Sequence, residues 1–114
     1  MSRQVLLRLL LAAATLFAIV MALLPHPPQT VEVGDKNQHM LAFGTLALLA
    51  AYAYPAMPLL RIGERLSFLG ALVEVFQSIP ALHRDCDVWD WVADTAIVIV
   101  VLGVIALGRR RARP

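Results

Sequence analysis

Glu74 and Asp94 are acidic residues set inside stretches that are otherwise almost wholly apolar. An ionisable group inside a membrane-crossing helix costs about 2.5–3.5 kcal/mol on insertion scales, so it ordinarily faces a partner, water or a ligand. Further polar residues gather in three short groups. Asp35, Lys36 and His39 form the first, at spacings that let them share a helical face. Glu74 and Gln77, three apart, form the second. Arg84, Asp85 and Asp87 form the third and lead into Asp90 and Asp94. Asp87, Asp90 and Asp94 recur at i, i+3 and i+7, which is one face of a helix.

Three kinds of chemistry suit this set. In the first, Arg84 and Lys36 contact a phosphate or carboxylate, the arginine fork binding it bidentately. His39, Glu74, Gln77, Asp87 and Asp90 then shape and hydrogen-bond the pocket around a lipid headgroup or cell-wall precursor. In the second, Glu74 is a general base and His39 or Asp90 a second acid–base group, provided these side chains lie within reach of one another. In the third, the cluster is a polar network that fixes helix register, and function lies in association with another membrane protein. The first is the leading expectation, and an enzyme is less expected than a binding protein. The excess of acids means that a strongly anionic ligand would need bound cations or protonated acids.

Ordinary structural roles are open to the same residues. Glu74 and Gln77 could bond a neighbouring helix. Asp87 suits the N-cap of a helix in whose first turn Asp90 meets the favourable end of the dipole. His39 could be a helix-end hydrogen-bonding residue, and Trp89 and Trp91 interfacial anchors. His83 with Cys86, or His39 with the acids, could be considered for a metal, but neither follows a recognised ligand spacing. No metal and no cofactor is therefore assigned. Cys86 is the single cysteine, so no intrachain disulfide forms, and nothing marks it as a nucleophile.

The elements that must position these residues follow from composition. The 114 residues are 60% hydrophobic and 16% charged, against about 45–50% and 25% in soluble domains. A soluble fold of this size could not hide so much apolar surface. The expectation is a single all-α membrane domain of four transmembrane helices, near 5–24, 39–54, 66–79 and 88–107, with a basic tail at 108–114. Pro25, Pro27 and Pro28 stop the first span, and Pro55 the second, with Tyr52 and Tyr54 as interfacial anchors. The residues 55–65 read as a basic turn. The first span reads as an uncleaved helix, since its apolar run is long for a signal and no small-residue cleavage site precedes Pro25. The third is the weakest, being interrupted by Glu74 and Gln77.

Orientation follows from where positive charge falls. Arg3, Arg8, Arg61, Arg65 and the four arginines of the tail lie on one side of a four-span chain, against Lys36 and Arg84 on the other. Positive charge is retained in the cytoplasm, so both ends are expected there, with loops 26–38 and 80–87 facing outward. Membrane lipids are expected partners, and the tail arginines could touch anionic headgroups. Nucleic acid is not expected, because nothing aromatic or folded accompanies those arginines. A homo-oligomer stays open.

Taken in order, these residues resemble the VanZ-like family of small bacterial membrane proteins. Asp35-Lys36-Asn37-Gln38-His39, followed by Ala42-Phe43, is similar to that family's D-K-x-x-H-x-x-x-F helix opening. Glu74-Val75-Phe76-Gln77 is similar to its E-x-x-Q, and Arg84 with Asp90 six residues on to its R-(x)5-D turn into the last helix. The motifs span about 35–94, and the four-helix layout covers the chain. Asp94 stands where the family often has Asn, and Ile97 and Val101 where it often has Gly, which implies looser packing of the fourth helix. The resemblance implies a bacterial cytoplasmic-membrane protein in a cell-envelope context. The family's namesake is associated with low-level resistance to the glycopeptide teicoplanin. A phosphotransbutyrylase label carried by some relatives finds no soluble catalytic domain or coenzyme-A site here.

Overall fold

The computed structural model describes residues 2–24, 35–79 and 88–112, with the side chains of 35–37 also outside the described part. Among the described residues the chain is all-helical: α1 (Arg3–Leu23), α2 (Asp35–Ala53), α3 (Leu59–Gln77) and α4 (Val88–Ala112). Successive helices run antiparallel. The Ser2 hydroxyl caps α1 by accepting the Val5 N–H at 3.1 Å. Pro55 and Pro58 bracket the short turn between α2 and α3, because the residue before a proline is biased away from helical geometry. α2 lies between α1 and α4, and α3 closes the bundle mainly against α4.

Each helix turns a narrow stripe inward. On α4 the buried residues are Asp90, Asp94, Val98, Leu102 and Ile105, one side chain per turn. On α2 they begin with His39 and continue through Phe43, Leu46, Ala47 and Ala50. On α3 they run from Ile62 through Leu66, Gly70 and Val73 to Glu74 and Gln77. The apolar parts of these stripes form one core. α1 contributes less, with Leu11, Ala14 and Ala18 packed on that core and Ala22 alone among its described residues buried.

The outward faces are also apolar. Leu6, Leu9, Leu16 and Phe17 on α1, and Ile99, Val100, Val104 and Leu107 on α4, are exposed. α1 and α4 are long and apolar enough to cross a membrane, and α4 is mostly unburied, unlike the core helix of a soluble protein. α2 and α3 do not meet the same test of length and composition. α2 is apolar only over Gln38–Ala53, and α3 carries Arg61, Glu64, Arg65 and Glu74.

Several boundaries differ from those expected. α3 begins at Leu59, not near 66, so most of the expected basic turn is helix. Arg61, Glu64 and Arg65 are exposed, so the backbone continues helically without burying their charge. α4 runs on to Ala112 and includes most of the expected tail. The fourth helix is also closely packed. Gly44 of α2 faces Ile97 and Val101, and a Cβ at Gly44 would stand 3.5 and 3.8 Å from their side chains. The small residue thus sits on the facing helix, which offsets the bulk on α4.

Candidate functional site

The inward stripes of α2, α3 and α4 change character at the same end of the bundle. α2 enters with His39, α3 leaves with Glu74 and Gln77, and α4 enters with Asp90 and Asp94. All five are buried. The antiparallel order makes this coincidence possible: the start of α2 lies beside the end of α3 and the start of α4. One possible donor atom from each of His39, Glu74 and Asp90 falls within 4.8 Å of the others. Asp94 Oδ2 lies 3.9 Å from His39 Nδ1, an ion-pair separation when the imidazole is protonated and too long for a hydrogen bond.

Asp90 and Asp94 therefore share one face, as their spacing requires. Gln77 makes a different connection. Its Nε2 donates to the Ala22 carbonyl at 2.9 Å, fastening α3 to the end of α1. Its buried Oε1 has no hydrogen-bond partner among the described residues. Arg84 and Asp87 lie outside the described residues, as do the side chains of Asp35 and Lys36. The N-cap expected at Asp87 falls there too.

Other residues support the site that no local motif singled out. Trp91 is half-buried and donates its indole N–H to the Ser67 carbonyl at 2.9 Å. The Ser67 and Thr95 hydroxyls meet at 2.9 Å beside it. Trp91 is thus part of the α3–α4 seam, which differs from an interfacial anchor, whereas Trp89 is exposed. Gly70 makes this possible, since a Cβ there would stand 3.3 Å from Trp91 Cδ1 and 3.5 Å from Phe43 Cζ. The signal for this arrangement was present as a small residue one helical turn before Glu74, but a lone glycine does not name its neighbour.

Beside His39 a narrow crevice runs between α1, α2 and α3, lined otherwise by apolar groups such as Ala18, Ala42 and Val73. It has room for about a water molecule. A lipid headgroup cannot enter it. No family model, curated protein or solved structure matches the chain. The functional reading therefore rests on these residues and their geometry.

Proposed function

We propose that the chain is a four-span protein of the bacterial cytoplasmic membrane, VanZ-like in its motifs, that binds the polar head of an envelope lipid or cell-wall precursor. The observation that carries this reading is the shared turn from apolar to polar on three inward stripes. Burying His39, Glu74, Asp90 and Asp94 together is expensive, and their place near helix ends supports a position at the level of a membrane interface. The four-span reading draws support from the apolar, exposed faces of α1 and α4. α2 and α3, each 19 residues, rise about 28 Å, close to a hydrocarbon core of about 30 Å. Hydroxyls inside the helices are satisfied locally, Thr15 by Leu11 O and Thr45 by Leu41 O, as a lipid setting demands.

The arginine count supports both ends in the cytoplasm, with the polar cluster facing outward. In this reading the headgroup binds at the cluster, and Lys36 and Arg84, named from the sequence, are its cationic contacts. Cys86, the single thiol, tests the orientation: an impermeant maleimide should label it in intact spheroplasts, and labelling only after lysis reverses the topology. Native mass spectrometry of the gently purified chain tests the ligand. A defined lipid or precursor retained by wild type and lost by folded Glu74→Gln and Arg84→Ala supports the reading. Equal retention of bulk lipid by all three refutes it.

A membrane-embedded enzyme acting on such a lipid is the second reading. What favours it is the closeness of His39, Glu74 and Asp90, the condition that an acid–base pair requires. Turnover of the retained lipid by wild type, absent from folded Glu74→Gln, would select this reading.

A further inference from the structure

We propose that His39, Glu74 and Asp90 hold one divalent transition-metal cation of the Zn2+ or Mn2+ class. The three candidate donor atoms lie within 4.8 Å of one another. Three donors bound at about 2.0–2.2 Å around one metal stand about 3.3–3.8 Å apart, from tetrahedral to trigonal. The widest pair therefore needs to close by about 1–1.5 Å, which small rotations of the side chains supply. Its residues come from α2, α3 and α4, so the cation would tie three helices at their polar end.

The donor set defines the cation. One imidazole nitrogen and two carboxylate oxygens suit first-row transition metals, whereas Mg2+ and Ca2+ prefer shells of oxygen alone. A divalent ion would offset the charge of the two ligating carboxylates, leaving only that of Asp94 beside them. That lowers the cost of burying the group, because uncompensated ions bear the whole desolvation penalty.

Asp94 supplies the second, independent observation. Metal-bound histidines usually direct their other ring nitrogen at a carboxylate, which fixes the tautomer and the ring plane. Asp94 Oδ2 stands 3.9 Å from His39 Nδ1, beyond hydrogen-bond reach as it stands, and would accept the Nδ1 proton once the site closes with Nε2 on the metal. Asp94 is 3% exposed and lies one turn along α4 from Asp90. It is a positioning residue, acting on the metal through His39.

Three protein ligands leave coordination positions open. An open position is where a phosphate oxygen of a lipid head would bind, and this use of the cation rests on the function proposed above. The cation site itself rests only on the helix geometry.

The test uses the full untagged chain in detergent, stripped of lipid and metal, with Zn2+ alone and Mn2+ alone. Equilibrium dialysis should give one ion of either metal per chain. His39→Gln, Glu74→Gln and Asp90→Asn, each confirmed helical and monodisperse, should weaken binding at least 100-fold. Asp94→Asn should weaken it about 10–100-fold while keeping the stoichiometry and shifting the visible spectrum of a Co2+ substitute. Glu64→Gln, an exposed acid on α3, should bind as wild type does. If a ligand variant fails to fold, X-ray absorption of the loaded wild type decides, with one imidazole nitrogen in the shell expected. Substoichiometric uptake of both metals overturns the proposal, as does equal binding by folded ligand variants or a shell without imidazole. A short-chain phospholipid is then titrated with and without metal. Metal binding with lipid binding that does not depend on metal leaves the cation site standing and removes only its use in holding a phosphate. No lipid binding in either condition removes the function proposed above.

Discussion

The two ends of the bundle handle charge in opposite ways. At the end formed by the α2–α3 turn, charges point outward. Arg8 Nε donates to the Ala53 carbonyl at 3.0 Å, and its guanidinium lies 4.4 Å from the centre of the Tyr54 ring. Arg109 donates to the Ala51 carbonyl at 2.9 Å and stands 5.9 Å from the Tyr52 ring. Those carbonyls are among the last of α2, which its own helix leaves without N–H partners. The arginines therefore solve an ordinary helix-end problem with side chains that stay near solvent or headgroups. At the other end His39, Glu74, Asp90 and Asp94 turn inward. His39 and Asp94 lie a full turn or more inside their helices. The contrast separates charge that anchors a helix end from charge that the bundle buries.

Substitutions at the two ends should differ most in size. Glu74→Ala removes one member of a buried charged cluster, for which about 3–5 kcal/mol of destabilisation is expected. Reversible unfolding in bicelles would read it, and a loss below about 1 kcal/mol would make the polar end no different from the basic one. Gly70→Leu should cost about 1–3 kcal/mol by overpacking against Trp91 and Phe43. Gly103→Ala, with open space around it, should instead stabilise α4 by up to about 1 kcal/mol. Arg8→Gln should cost only about 0.5–1 kcal/mol, in line with one hydrogen bond and an exposed cation–π contact. A larger effect there would mean that the basic end, too, is a structural keystone.

Much of this contrast can be read in the sequence, and the unread part has physical reasons. The i, i+4 relation of Asp90 and Asp94 on an apolar helix places both on one face, and Glu74 stands out because so little around it is polar. The start of α3 is less legible. Hydropathy stops at Arg61, Glu64 and Arg65, whereas backbone hydrogen bonding continues through them because those side chains lie on the exposed face. Helix packing is hidden for a different reason. Ile97 and Val101 suggest a loose fourth helix until Gly44 is known to face them. The His39–Glu74–Asp90 group escapes any ligand-spacing rule, since its members lie on three helices and meet only through antiparallel packing.

The most direct test of the inward cluster is a double-mutant cycle on Glu74→Gln and Asp90→Asn, read by reversible unfolding in bicelles. The account predicts a coupling energy of at least about 1 kcal/mol, as for residues sharing one buried network. Additivity within about 0.3–0.5 kcal/mol, the behaviour of independent sites, would contradict it and leave two acids that merely face the same way.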